Sequence, residues 1–281
     1  MKEKLLVTIP VNKQYKENQL KLINQINVDH FVIPQISSVR TDVFSLAFHI
    51  KKHLNKTMIL TINTVDTNLR FIQSRILGAK LFDIFDFIIT KGDSHSLQKS
   101  RKKREKDSKS IFEFSTTKVI KHISNMKNGS DFLGNNITKI PKLHLGSTIE
   151  LNNVTEQNIN LVNKKIKYGI KYFISNPIYD SEVYTNFVTE YKKFTNKLFE
   201  TDVYISIRMD LPKNVFYDKE FNLDSYKNQN ITKENFYLKL VNNFKNNKFN
   251  KFNFILPSSD YDPIEMKNQI SLINKLVENI N

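Results

Sequence analysis

The sequence predicts an α/β protein, a single-domain (β/α)8 TIM barrel over residues 1–281. Short apolar runs that suit buried strands alternate eight times with amphipathic segments that suit helices. This alternation is typical of parallel strands that are joined by right-handed helical crossovers. The length of 281 residues is also close to the roughly 250 residues that such a barrel needs. A doubly wound open sheet is the alternative that the same alternation allows.

The eight strands are predicted from apolar runs that are too short for helices and rich in β-favouring residues. Parallel strands that are buried on both faces read as continuous apolar runs, and most of these segments do so. In chain order, the predicted strands are Leu5–Pro10, Phe31–Pro34, Thr57–Asn63, Phe85–Thr90, Leu143–Ile149, Lys171–Ser175, Asp202–Ile207 and Lys251–Leu256.

The eight helices are predicted from apolar residues that recur at three- and four-residue spacing, as in Val43, Leu46 and Ile50. Thr155 and Ser181 suit N-caps, because their hydroxyls can accept hydrogen bonds from the first turn. The predicted helices are Glu17–Ile26, Thr41–Leu54, Thr67–Ala79, Glu113–Met126, Thr155–Tyr168, Ser181–Leu198, Thr232–Lys245 and Pro263–Val277. The polar stretches 128–142 and 214–230 are predicted as loops.

Composition excludes several classes of site. The chain has no cysteine, which rules out disulfides, thiolate metal sites and a cysteine nucleophile, and which suits the reducing cytoplasm. His49 and His53 are the one histidine pair at ligand spacing, and a solvated helix face explains them better than a metal does. No apolar run approaches the roughly 18 residues of a membrane span, so no membrane partner is expected.

The net charge of +15 raises the question of a nucleic-acid partner. Basic residues concentrate only in Lys99–Lys109, and this run has no aromatic residue on which a base could stack. We therefore predict a basic mobile loop near 96–111, with a nucleic-acid patch as the less favoured interpretation. The oligomeric state is left open.

Polar residues follow most of the predicted strands, at the face where a barrel places its active site. The stretch Phe87–Asp93 shows this best, because an apolar run leads directly into Lys91, Gly92 and Asp93. Helix capping by Asp93 beside a solvated Lys91, and the general polarity of loops, are the alternative explanations. The other polar residues expected at this face are Thr8, Gln35, Asn63, Glu150, Asn176, Arg208, Asp210, Ser258 and Asp260.

With these strand ends in place, the chain resembles the methylenetetrahydrofolate reductase family over nearly its whole length. Ile89-Thr90-Lys91-Gly92-Asp93 is similar to the family's Ala-Leu-Arg-Gly-Asp after the fourth strand. Lys165–Asn176 resembles Lys-Val-x-Ala-Gly-Ala-x-x-Ile-x-Thr-Gln, and the next residues, Pro177–Asp180, resemble Phe-Phe-Phe-Asp. Shorter matches are Leu60-Thr61, Glu150, Arg40 and Phe252-Asn253-Phe254.

In that family the barrel binds FAD, NAD(P)H reduces the flavin, and the flavin reduces methylenetetrahydrofolate to methyltetrahydrofolate. The resemblance therefore implies an FAD-dependent oxidoreductase with NAD(P)H as reductant and a folate-type substrate. It implies that the cofactor is bound by Thr61, Lys91, Asp93 and Arg40. It implies that the substrate is bound by Asn176, Tyr179 and Gln35, and that Asp93 lies beside the flavin and the folate.

The chain departs from the family at the end of the first strand, where the catalytic glutamate is replaced by Thr8. Threonine cannot protonate a folate nitrogen. We predict Glu150 as the replacement acid, because its approach through Ser147-Thr148-Ile149 suggests apolar surroundings, which raise a carboxyl pKa. Asp93, next to Lys91, is expected to stay ionised. The alternative is that Glu150 caps the strand end or pairs with Arg208.

Further departures at Ile59 and at Ile33-Pro34-Gln35 predict weak or partial FAD occupancy, because several hydrogen bonds to the cofactor would be lost. Other functions therefore remain open. The protein could be a non-redox folate-binding or methyl-transfer relative, a catalytically silent barrel subunit, or a basic scaffold for nucleic acid.

Overall fold

A computed structural model shows a closed barrel of eight parallel strands in the order β1 to β8, which confirms the predicted (β/α)8 fold. The structure describes residues 5–11, 17–36, 41–54, 56–92, 111–209, 232–256 and 262–280. The strands are β1 (Leu5–Thr8), β2 (His30–Ile33), β3 (Thr57–Asn63), β4 (Asp86–Thr90), β5 (His144–Ile149), β6 (Tyr172–Pro177), β7 (Asp202–Arg208) and β8 (Phe252–Ile255).

Each strand is followed by a helix, so that the helices surround the barrel. They are α1 (Glu17–Ile23), α2 (Val43–His53), α3 (Leu69–Lys80), α4 (Thr116–Asn128), α5 (Glu156–Lys167), α6 (Ser181–Thr195), α7 (Lys233–Asn246) and α8 (Pro263–Ile280). No helix in the described ranges is long and apolar enough to cross a membrane. The basic run Lys99–Lys109 and the predicted loop 214–230 lie outside those ranges.

The ring closes because β1 pairs in parallel with both β2 and β8, with Thr8 opposite Val32 on one side and Ile255 on the other. Side chains alternate between the two faces of each strand. One set packs against the helices and forms the main core, as Phe87 and Ile89 do. The other set fills the lower lumen as a separate cluster, which we call the lumen floor: Leu6, Val32, Ile59, Ile88, Tyr172, Ile174 and Tyr204.

Tyr172 fills the lumen beside β5 because its register partner, Gly146, has no side chain. A Cβ on Gly146 would lie 2.4 Å from the Cζ of Tyr172. The Tyr172 ring stacks on His144, with centroids 5.1 Å apart, and meets Tyr204 edge-on at 5.7 Å. His144 Nδ1 lies 2.8 Å from Asp86 Oδ1. Since Asp86 and His144 begin their strands, this cluster closes the amino end of the barrel.

Two helix starts test the capping predictions. Thr155 is the N-cap of α5, as predicted, and its hydroxyl accepts from Asn158 N. The N-cap of α6 is Asp180 rather than Ser181, because a carboxylate one residue earlier accepts from Glu182 N at 2.9 Å. Ser181 is instead buried as the first helical residue, and its hydroxyl accepts from Asn247 Nδ2 at 3.0 Å.

Candidate ligand site at the barrel mouth

A ring of uncharged hydrogen-bonding side chains lies above the lumen floor. Residues two positions apart on a strand share a face, so a side chain that follows a floor residue by two also faces the lumen. Thr8 follows Leu6 in this way on β1, and Ser206 follows Tyr204 on β7. We call the set the lumen ring: Thr8, Thr61, Thr90, Thr148, Ser206 and Asn253.

Three members of the lumen ring form a buried hydrogen-bonded chain across β1, β8 and β7. The Thr8 hydroxyl donates to Asn253 Oδ1 at 2.9 Å, and Asn253 Nδ2 donates to Ser206 Oγ at 3.1 Å. All three side chains are at most 8% exposed. Thr8 stands where the methylenetetrahydrofolate reductase family has its catalytic glutamate. It is a neutral hydroxyl, and it already donates its proton to Asn253. Among the described residues, the lumen ring contains no ionisable group.

Two further hydroxyls of the lumen ring meet on the other side of the mouth. Thr90 Oγ1 and Thr148 Oγ1 lie 3.1 Å apart, so that one hydroxyl donates to the other. The main-chain carbonyl of Thr148 accepts from Lys165 Nζ at 2.8 Å. Lys165 is a buried residue of α5, and burial lowers the pKa of its ammonium group to about 8.

Thr61 differs from these residues, since its hydroxyl makes no hydrogen bond with any other described residue although its side chain is only 8% exposed. A hydroxyl can both donate and accept. Thr61 therefore presents unused hydrogen-bonding capacity at the mouth, where the sequence predicted a cofactor-binding residue.

Gln35 connects the ends of β2 and β3. Asn63 N donates to Gln35 Oε1, and Asn63 Nδ2 donates to the Gln35 main-chain carbonyl, both at 2.9 Å. Gly92 follows β4 with a φ of +77°, and a Cβ there would lie 2.6 Å from Val65 Cγ1 and 2.9 Å from Asn63 Cγ. Only glycine suits this conformation and this space, so the chain after β4 can pack closely against Asn63 and Val65 at the end of β3. The predicted substrate contact of Gln35 remains a prediction.

Lys91 and Asn176 lie at the carboxyl ends of their strands, as predicted. Lys91 is exposed, and its Nζ lies 5.4 Å from the centroid of the Phe112 ring. Asn176 is half-buried, and its Oδ1 accepts from Leu151 N at 2.8 Å. Tyr179, which was also predicted to bind the substrate, is packed in the main core at 4% exposure.

Glu150 is exposed, so the apolar surroundings that the sequence suggested for it are absent. The reason is its position one residue past the end of β5, where the chain leaves the barrel wall. Burial therefore does not favour Glu150 as an acid. Asp93 and Arg40, the other predicted catalytic and cofactor residues, lie outside the described residues.

The sequence analysis singled out polar residues at or just past the strand ends, and it did not single out several polar residues of the strands themselves. The missed residues are Thr90, Thr148, Ser206 and Asn253, and Lys165 behind them. For Thr148, Ser206 and Asn253, the signal was a polar residue within an apolar strand, as in Phe252-Asn253-Phe254. A polar residue there is best satisfied in the lumen, because the opposite face is covered by helices.

No protein-family profile and no curated protein matches this chain in sequence. It is similar in fold to an uncharacterized protein from Clostridium thermocellum that binds two copies of 5-methyl-5,6,7,8-tetrahydrofolic acid, with a TM-score of 0.64, 13% identity, and coverage of 99% of this chain and 96% of that chain. N-(5'-phosphoribosyl)anthranilate isomerase from Pyrococcus furiosus has a TM-score of 0.48 and 8% identity over 97% of this chain and 100% of that chain. At these identities the likeness shows the fold alone.

Proposed function

We propose that this protein binds a reduced folate at the carboxyl-end mouth of the barrel. The observation that carries the proposal is the lumen ring, a set of neutral donors and acceptors directly above a floor of aliphatic and aromatic side chains. Ligand sites are typically apolar cavities with a few placed polar groups that fix orientation. The pterin of a reduced folate is an uncharged bicyclic ring system with hydrogen-bond donors and acceptors along its pyrimidine edge, and it matches both parts of this surface.

Two further observations support a folate as the ligand class. The Clostridium thermocellum protein, which shares the fold over nearly the whole chain, binds methyltetrahydrofolate. The sequence also resembles a folate-reducing family at Leu60-Thr61 within β3 and at the residues that end β4 and β6. At 13% identity, these observations support the ligand class.

Thr61→Val offers a direct test. Valine has nearly the same shape, and the Thr61 hydroxyl bonds to no other described residue, so the variant is expected to fold like the parent. If the hydroxyl bonds to the pterin, its loss should weaken binding of methyltetrahydrofolate about five- to tenfold. Isothermal titration calorimetry measures this, and Thr138→Val, on an exposed loop, is the matched control. A folded parent protein that gives no binding heat with any reduced folate would refute the proposal.

A second candidate function is FAD-dependent reduction of the bound folate with NAD(P)H, favoured by the positions of Thr61 and Lys91. Thr61 supplies a neutral hydroxyl of the kind that suits a flavin ring, and exposed Lys91 supplies a cation of the kind that suits a phosphate. FAD would carry the hydride chemistry. Since Thr8 donates to Asn253, the proton would have to come from another group, with Asp93 and Glu150 the candidates.

The two candidates differ in colour and in turnover. We expect weak or partial FAD occupancy, with the visible absorbance of flavin after reconstitution and its loss on dialysis. NAD(P)H-dependent formation of methyltetrahydrofolate would establish the redox function, and Glu150→Gln would then test that carboxyl as the acid. Folate binding by a protein that takes up no FAD, even at high concentration, would leave the non-redox function.

A further inference from the structure

Lys165 is a buried cation that no carboxylate neutralises among the described residues. Its side chain is 6% exposed in the space between α5 and the barrel. The ammonium group donates to the Thr148 carbonyl at 2.8 Å and lies 6.0 Å from the centroid of the Phe173 ring. Burial alone lowers the pKa of this group to about 8.

Stability does not explain a lysine at this position. A buried ammonium loses its hydration, and one carbonyl with a distant ring face replaces only part of it. Methionine is unbranched, has similar length and fills irregular apolar space without a charge. A residue at this site that served packing alone would therefore be apolar.

The residue that Lys165 holds belongs to the lumen ring. Thr148 is the last residue of β5 whose side chain faces the lumen, and its hydroxyl lies 3.1 Å from that of Thr90. Lys165 approaches from the opposite, helix-facing side and binds the main chain of the same residue. Three residues further on, Leu151 N donates to Asn176 Oδ1. The end of β5 is thus held by side chains from a helix and from a neighbouring strand.

We propose that Lys165 is a positioning residue for the mouth, whose bond to the Thr148 carbonyl holds the end of β5 so that the Thr148 hydroxyl stays directed at Thr90 in the lumen ring. The proposal rests on the proposed function in that the positioned ring binds a folate. It assigns Lys165 no contact with the ligand, because the lysine lies on the other side of the barrel wall.

Hydrogen exchange followed by mass spectrometry tests this without any ligand. In Lys165→Met, amides of 147–151 should exchange about tenfold faster than in the parent, the scale expected for loss of a charged hydrogen bond. Global stability in urea should stay the same or rise, because a desolvated charge is gone. Lys164→Met, on the exposed face of the same helix, is the matched control and should change neither quantity. Lys165→Arg, which keeps a cationic donor, should restore protection.

Ligand affinity is the second readout. Lys165→Met should weaken methyltetrahydrofolate binding about tenfold, while Lys164→Met binds like the parent. If the parent binds no folate, the proposed function fails, and the exchange data alone still decide the role of Lys165. Unchanged exchange at 147–151 would overturn the inference. So would a Lys165→Met protein that is globally less stable or unfolded, since Lys165 would then be a stabilising residue.

Discussion

Tyr172 carries a hydroxyl that is buried in the lumen with no hydrogen-bond partner among the described residues. Burial raises the pKa of this phenol well above its usual value, so the group stays neutral. A buried polar group without a partner loses its hydration and gains nothing in return. The ring itself is well packed between His144 and Tyr204. The stabilising part of this residue is therefore its ring, and the hydroxyl works against it.

We expect Tyr172→Phe to raise the free energy of unfolding by about 1 kcal/mol, because it removes the unsatisfied hydroxyl and keeps the ring. Urea denaturation followed by circular dichroism measures the change. Tyr191→Phe is the control, since the Tyr191 hydroxyl donates to Asn163 Oδ1 at 3.4 Å and its removal should stabilise nothing. A Tyr172→Phe protein less stable than the parent would mean that the hydroxyl has a partner after all.

Lys165 should give the protein a stability that depends on pH. The folded pKa is about 8 and the ordinary value is 10.5, so between them the unfolded chain holds a proton that the folded chain has lost. The free energy of unfolding therefore rises with pH through this window. Relative to Lys165→Met, the free energy of unfolding of the parent should increase by up to about 3 kcal/mol over this pH range.

Urea unfolding of both proteins from neutral pH to about pH 9.5 would show most of this gain before tyrosines ionise. The stability advantage of the methionine variant should shrink steadily as the pH rises. A difference between the two proteins that is constant with pH would contradict the lowered pKa. The apolar spacing of α5 places Lys165 on the same helix face as Ile159 and Val162, but the spacing does not show how strongly the barrel desolvates that face.

At the scale of elements, the sequence predicted all eight strands and eight helices, and the errors lie at their ends. The helix predicted from Glu113 begins at Thr116, because Ser115 accepts from Lys118 N as the N-cap. It continues to Asn128 and ends at Gly129, whose φ is +94°. Apolar periodicity locates a helix well, but its ends depend on a choice among neighbouring capping residues.

The pairing of β5 with β6 gives a sharp test of element packing. In Gly146→Ala the new methyl would meet the Tyr172 ring, whose Cζ lies 2.4 Å from the Cβ position. We expect a loss of about 1–3 kcal/mol in the free energy of unfolding, the usual range for overpacking. The double variant Gly146→Ala/Tyr172→Leu should recover part of it, since the smaller side chain leaves room.

Gly78→Ala is the matched control for this substitution. Gly78 lies inside α3, and a Cβ there would meet nothing within 4 Å. The same change should stabilise this helix by about 0.5–1 kcal/mol, because alanine is the better helix former. Equal effects at the two glycines, measured by thermal and urea unfolding, would show that lumen packing does not decide the result.

At the scale of the whole molecule, the alternation of elements predicted parallel pairing, but it did not distinguish a closed barrel from an open sheet. That distinction depends on the contact between β1 and β8, which no local pattern encodes. The hydrogen bonds of the lumen ring could not be predicted for the same reason. Thr8 and Asn253 are 245 positions apart in the chain and become neighbours only when the barrel closes. The sequence predicted which strand ends form the mouth of the barrel, but it did not predict the hydrogen bonds between them.

Removing 251–281 should therefore prevent folding rather than shorten the barrel. The deletion takes away β8 and α8, and leaves one edge of β1 and one edge of β7 without partners. It also opens the lumen floor to water and removes Asn253 from the Thr8 bond. We expect no cooperative thermal transition in circular dichroism and fast exchange of all strand amides. A truncated protein that unfolds cooperatively would show that seven strands form a stable sheet.

The contact between Thr8 and Asn253 can form only late in synthesis of the chain. A ribosome adds roughly 5–20 residues each second, so the 245 positions between these residues take on the order of tens of seconds to synthesise. During that time the nascent chain carries β1 with an unpaired edge, and unpaired edges invite pairing with other chains. Because β1 cannot complete its pairing until β8 has been synthesised, we expect chaperones that bind nascent chains to raise the yield of folded protein.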